Sequence, residues 1–516
     1  VTYTRREVIS FGAMAVATAA TARVQGWSQF TPDVELELTA QTGRAQILPG
    51  RPTDVWQFTG RVIKGPSSVL APVEGSYLGP TIRLARGQKV RIRFANRLPD
   101  PSIVHWHGLD VPEAADGHPR FAVDGGKDYV YEFEVTNRAG TYWYHPHPHM
   151  QTGPQVYSGL AGMLIVTDAE EAALSLPSGA TELLAVIQDR KFDASNQLVY
   201  STTMMDMETG FLGNRVLVNG QAAPQWSLAT RAYRIRILNG SNARLYKLAW
   251  SDGTPMTVLG TDGGLLEQPH TQQYVTLAPA QRVDLWLDLS QRALDTRIEL
   301  QSAAFPLTDG GLDMSGMGGM GRMGGMGGMG GGRGAAMAGT SLPLGAPISL
   351  ATLTVARREK GLSAPPARLS TFDRSWQPAP GVPVRQVPLT FRMMEWFMAG
   401  RAFGEMMEVA SDETVKAGST QIWEFVNAGG PMGMQMAHPI HIHGRQFRVL
   451  GRSGGAPGNS LREGLVDGGW TDTVLVLPNE TVRLQVPFTS HAGLYLYHCH
   501  ILEHEDMGMM RNFKVI

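Results

Sequence analysis

Apolar and polar residues alternate at many points along the chain. Val90, Ile92 and Phe94 are separated by arginines, and Tyr129, Tyr131, Phe133 and Val135 repeat the pattern. Tyr233, Ile235 and Ile237 follow, then Val283, Leu285, Leu287 and Leu289, then Val482, Leu484 and Val486. Successive side chains on a strand point to opposite faces, so a period of two bounded by Gly, Pro and Asn predicts half-buried antiparallel strands. Long helical periodicity is scarce. The pattern predicts an all-β fold of sandwiches or barrels.

An internal repeat organises these strands. The first third contains His105-Trp106-His107-Gly108 and, later, Gly140-Thr141-Tyr142-Trp143-Tyr144-His145-Pro146-His147. The last third contains His441-Ile442-His443-Gly444 and, later, Gly493-Leu494-Tyr495-Leu496-Tyr497-His498-Cys499-His500. The middle third has similar strand patterns but a single histidine, His270. Three β-domains are expected, spanning 28–170, 171–358 and 359–516, with the outer two related and the middle one plain. Ala169 to Ala180 and the Pro-rich stretch Gly361 to Pro388 are the candidate linkers. Residues 312–334 are low-complexity, with Met314, Met317, Met320, Met323, Met326 and Met329 spaced among glycines. Such a segment cannot pack a core and is expected to be a surface loop of the middle domain.

Composition narrows the chemistry. Hydrophobic residues make up 43% of the 516, enough for a large core, and the formal net charge is −1, which gives no basic footprint for nucleic acid. One cysteine excludes an intrachain disulfide, an iron–sulfur cluster and a Cys-rich zinc module. Arg5-Arg6 followed by a weakly apolar, alanine-rich run reads as a twin-arginine export signal over residues 1–27, and predicts a periplasmic or otherwise extracytoplasmic protein. No segment is long and apolar enough to be read as a membrane span.

Four His-x-His pairs hold eight of the fourteen histidines: His105/His107, His145/His147, His441/His443 and His498/His500. On a strand, i and i+2 share a face, so each pair aims two imidazoles at one place. If the outer domains face each other, eight imidazoles converge, a number that suits two or three metal ions. Cys499 lies between His498 and His500, so its thiol is expected on the opposite face, in a second site back-to-back with the first. His504, Met509 and the upstream His438 complete a Cys, two-His, Met set, the donor set of an electron-transfer copper. Zinc would have no use for a wired neighbour, and a nucleophilic Cys499 would need a substrate cleft at these spacings.

The motifs HWHG, WYHPH, HPIHIHG and HCHILEHEDMGM together resemble those of three-domain multicopper oxidases along the whole mature chain. The resemblance implies cupredoxin-like Greek-key domains, a trinuclear cluster between the first and third, and four copper ions. It implies a type 1 copper on His438, Cys499, His504 and Met509, and a type 2 copper on His105 and His441. The type 3 pair would use His107, His145 and His500 on one ion, and His147, His443 and His498 on the other. Asp116 and Glu505 fall where the family's proton-relay carboxylates lie. The implied reaction is four-electron reduction of O2 to water, paid for by one-electron donors, in a monomer.

The donor is read from methionines. Thioethers select Cu(I), and Met434 and Met436 stand just before His438. Met432, Met204, Met205, Met207, Met393, Met394 and Met398 are expected to extend that lining. The Met/Gly-rich segment resembles those of bacterial copper-efflux oxidases, and implies oxidation of Cu(I) in copper tolerance. Two departures stand out: the segment precedes the Pro-rich linker, whereas those enzymes carry theirs in the third domain, and Met434 occupies the place of a carboxylate. Four alternatives remain: a laccase acting on phenols or aromatic amines, a ferroxidase, an exported copper-storage protein, and a metal-free cell-division relative of the same fold. Relatives of the last kind lack the ligands, none of which is missing here.

Overall fold

Six sheets, in three pairs that follow one another along the chain, hold the strands of this computed structural model, which describes residues 30–311, 342–362, 364–392, 395–428, 435–488 and 491–516. The predicted export segment lies outside the described residues. So do Met314, Met317, Met320, Met323, Met326 and Met329, together with Met393, Met394, Met432 and Met434. Among the described residues no helix is long and apolar enough to cross a membrane.

The first pair joins a four-stranded sheet, in the order Thr53–Lys64, Val34–Ala45, Lys89–Arg97, Asp128–Glu134, to a five-stranded sheet that ends in Gly162–Thr167, Gly140–Pro146, Val104–His107. Ile92 and Phe94 from one sheet meet Trp106, Tyr144 and Leu164 from the other in one apolar cluster. The middle and third pairs close on clusters of their own, around Ile235 and Leu285 and around Trp423 and Leu484. Each alternating pattern therefore points its apolar face into a two-sheet core, as a period of two requires. The fold is all-β, with three consecutive cupredoxin-like pairs.

Two features differ from the sequence expectation. The sheets are mixed: Val34–Ala45 runs parallel to Lys89–Arg97, Glu182–Arg190 to Ala232–Asn239, and Val384–Arg392 to Thr420–Val426. Greek-key returns bring strands together that are not hairpin neighbours, and alternation cannot report their direction. The strand Ala232–Asn239 is also buried on both faces, not one. Its polar face carries Arg234 and Arg236, which bond Asp284, Glu171, Glu182 and Thr141, so the first sheet pair covers it.

What positions the site is one pairing used twice. Val104–His107 runs antiparallel to Gly140–Pro146, with His105 opposite His145. In the third pair His438–Ile442 runs antiparallel to Gly493–Cys499, with His441 opposite His498 and Ile440 opposite Cys499.

Candidate metal centre

Alternation on the two paired strands of each half sorts the side chains. Trp106, Tyr142 and Tyr144 enter the first core, and Ile440, Ile442, Tyr495 and Tyr497 the third. The imidazoles take the opposite face. Gly108 and Gly444, both at positive φ (89° and 62°), turn the chain just after the second histidine of each HxHG motif.

The structure brings the eight paired histidines together, all of them buried. Ring centroids within each pair are 5.5 Å apart for His105/His107 and His498/His500, 6.0 Å for His145/His147 and 5.1 Å for His441/His443. Across the two halves, His105 stacks on His443 at 3.8 Å and His107 on His441 at 3.7 Å. Donor atoms of His107, His145 and His500 lie within 4.8 Å of one another, as do those of His147, His443 and His498, and of His105, His107 and His441.

Hydrogen bonds fix which nitrogen faces the cluster. The Nδ1–H of His105 donates to the Asp116 carbonyl (2.6 Å), of His441 to the Asp472 carbonyl (2.8 Å), of His443 to Asp116 Oδ2 (2.8 Å) and of His498 to the Cys499 carbonyl (3.0 Å). Their Nε2 atoms are then bare lone pairs, and they face one another: His443 to His498 at 3.1 Å and His105 to His441 at 3.3 Å. Only a cation makes such contacts favourable. His107 is reversed, with Nε2 donating to Asp472 Oδ1 (3.0 Å) and Nδ1 3.4 Å from His145 Nε2. Both ring nitrogens of His500, and Nδ1 of His147, are buried without a hydrogen-bond partner among the described residues. This donor set fits copper, for which neutral imidazole is a preferred ligand.

Cys499 takes the other face of its strand. Its Sγ lies 3.5 Å from His438 Nδ1 and 3.6 Å from His504 Nδ1, and the three form a buried donor group. His504 Nε2 donates to the Glu208 carbonyl (2.9 Å), which leaves the Nδ1 lone pair toward the sulfur. Burial pushes the thiol well above its ordinary range, so it ionises only against a cation. Met509 is buried in the same apolar cluster, and its carbonyl accepts from the Cys499 N–H.

Both predicted carboxylates lie at the histidine cluster. Asp116 is fully buried, and burial raises its carboxyl to about 8; Oδ1 has no hydrogen-bond partner among the described residues. Glu505 lies 3.5 Å from His147 Nε2 and 3.1 Å from His498 Nδ1. Burial pushes its carboxyl up, but those two imidazoles outweigh it and hold it at about 2. Of the two methionines singled out before His438, Met436 is described: it is buried in the apolar cluster with Cys499. Met398 is buried there too, whereas Met204 and Met205 are exposed on a short helix, Met204–Thr209, that also carries Glu208. Sequence reasoning missed Asp472. Nothing periodic marks it, and only its place beside Thr473, the register partner of His441, brings it to the cluster.

Nine histidines of the two donor groups are shifted below their ordinary value, first by burial and mostly also by neighbouring imidazoles: His105, His107, His145, His147, His438, His441, His443, His500 and His504. Between those lowered values and 6.5 the unfolded chain binds more protons than the folded one, so stability is lost as pH falls. Asp116, Asp262, Glu503 and Asp506 are shifted up and act in the opposite sense, but they are fewer. Each histidine contributes up to roughly 1.4 kcal/mol per pH unit. The melting temperature of the copper-free protein is expected to drop steeply from pH 7 to pH 5 in calorimetry; a flat or rising profile would contradict the buried neutral imidazoles.

Residues 57–171 and 377–516 each match a family profile described as multicopper oxidase. The multicopper oxidase mco of Staphylococcus haemolyticus is 31% identical over 86% of this chain and 83% of its own length. A laccase of Bacillus stratosphericus is 30% identical over 87% and 91%, and the cell division protein FtsP of Photorhabdus laumondii 30% over 89% and 87%. The crystal structure of the McoA multicopper oxidase from Aquifex aeolicus superposes with a TM-score of 0.75 at 32% identity, covering 94% of this chain and 97% of that one. With its sheet pairs, its paired histidine strands and these relatives, the chain belongs to the multicopper oxidase family.

Proposed function

We propose that the protein is an exported oxidase that couples one-electron oxidation of Cu(I), or of small phenols, to reduction of O2 to water, and that it serves copper tolerance. The observation that carries the reading is the thiol of Cys499 between the imidazoles of His498 and His500, with a complete donor group on each side of the strand. The proposed ligands are His438, Cys499, His504 and Met509 on one side. On the other side are His105 and His441, then His107, His145 and His500, then His147, His443 and His498. When bound, four copper ions supply one-electron uptake at the first group and four-electron reduction of O2 at the second. Possession of every donor favours an oxidase over a cell-division role like that in the FtsP relative's name.

The chain's own groups supply binding, dryness and protons. Both donor groups are sealed from water by burial, which keeps the imidazoles neutral and available. Asp116, raised to about 8, holds a proton near neutral pH on the oxygen that does not accept from His443. Glu505, held at about 2, is the ionised carboxylate that passes incoming protons on between His147 and His498. Substituting Glu505→Gln is expected to slow O2 uptake roughly 100-fold and to shift its pH profile. An unchanged rate and profile would remove Glu505 from proton transfer.

Cu(I) is favoured as donor by Met204 and Met205. They are 65% and 45% exposed, on the helix whose Glu208 carbonyl accepts from His504. Soft thioethers there would hold a cuprous ion beside a proposed type 1 ligand. A laccase reading uses the same donor groups and is supported by the likeness to the Bacillus laccase. O2 uptake by the Met204→Leu/Met205→Leu variant separates them. The KM for Cu(I) is expected to rise several-fold while phenol oxidation is unaffected; equal kinetics with Cu(I) would favour the laccase reading.

A further inference from the structure

The middle third supplies no imidazole to the cluster, yet one of its side chains bonds the acid that touches His107. Arg282, at the start of strand Arg282–Asp288, is fully buried. Its two Nη atoms bond both oxygens of Asp472 in the last third, Nη1 to Oδ1 at 2.8 Å. Its Nε donates to the Thr141 carbonyl in the first third at 2.9 Å. One guanidinium thus joins all three parts of the chain a single residue away from a histidine. Asp472 Oδ1, so held, accepts from Thr473 Oγ1 at 3.0 Å and from His107 Nε2 at 3.0 Å. Gly108, which closes the HWHG motif, is the residue whose added Cβ would collide with Asp472 Oδ2 and Arg282 Nη2, so the motif's glycine keeps room for this pair.

Stability does not explain a pair buried so deeply, because desolvating both charges offsets their attraction and apolar replacements often do as well. Direction does. A neutral imidazole carries one N–H, and a carboxylate fixed beside Nε2 keeps it there, leaving the lone pair on Nδ1, 3.4 Å from His145 Nε2. Thr473 Oγ1, 3.2 Å from the same Nε2, cannot set this alone, since a hydroxyl can donate as well as accept. We propose that Arg282 is a positioning residue for the histidine cluster: by holding Asp472 on both oxygens it keeps the His107 proton on Nε2 and presents Nδ1 as the metal-facing atom. The proposal rests on the ligand role given to His107 above.

Ring-nitrogen NMR of the full-length, copper-free protein labelled with 15N-histidine tests it, the His107 signal being assigned by its loss in His107→Ala. The parent chain is expected to show the Nε2–H form. Arg282→Met is expected to lose it, and to weaken copper binding at the cluster roughly 10- to 100-fold while the colour due to Cys499 persists. Because that variant leaves Asp472 unpaired and buried, the double variant Arg282→Met/Asp472→Leu removes that carboxylate as well. Asp262, 3.5 Å from Arg282 Nη1, keeps its bonds from Thr471 Oγ1 and from the backbone N–H groups of residues 282 and 473, so the fold stays testable. A merely structural pair would be replaced by the apolar one without effect. An unchanged copper affinity and an Nε2–H His107 in the double variant therefore overturn the proposal. If His107→Ala instead binds copper as tightly as the parent, the ligand reading itself fails and takes the proposal with it.

Discussion

The site depends on the pleat of a single strand. From Tyr497 to His500 the chain presents core, cluster, core, cluster in turn, so the Cys499 thiol and its flanking imidazoles cannot share a face. Two donor groups with different chemistry are thereby joined through the peptide units on either side of one residue. A register slip of one position would exchange the faces and empty both groups. The register is held by the pairing of Ile440 with Cys499 and by the aromatic residues of the third core.

The cluster itself belongs to neither half. Rings from the first and last sheet pairs stack across the boundary, and Asp116 of one half accepts from His443 of the other. The middle pair contributes charge in place of ligands: Arg234 and Arg236 bond Asp284 and Glu182 of their own pair and Glu171 of the helix before it, and Arg282 meets an acid of the third. Buried arginines of this kind are costly unless paired and bonded. Arg236 also reaches Thr141 Oγ1 of the first pair, and Arg282 the Thr141 carbonyl and Asp472, which ties the three sheet pairs into one frame around the buried centre.

Much of this was legible in the sequence, and the reasons are physical. Alternation at Ile92 and Phe94 or at Leu484 and Val486 reports a strand with an apolar face, and the repeated HxHG and YxYHxH segments report that one strand pairing is used twice. Alternation reports neither strand direction nor what covers the polar face, so the parallel pairings and the enclosed arginines of Ala232–Asn239 were out of reach. Asp472 and Arg282 carry no motif. They act through contacts between residues 365 and 190 positions apart in the chain, which only the folded register brings together. The methionines before His438 illustrate the converse. Proximity in sequence set Met436 beside His438 as a cuprous ligand, but the fold buries it and exposes Met204 and Met205 from another part of the chain.

The central claim is that one thiolate and ten imidazoles form two distinct copper-binding groups in the same chain. Copper titration of the purified full-length protein, followed by visible absorption and electron paramagnetic resonance beside Cys499→Ser, tests it most directly. The account predicts a blue parent that binds about four copper ions, and a colourless variant that loses one of them and keeps the rest. A colourless parent with far fewer ions, or a variant whose histidine cluster empties with the thiol, would contradict it.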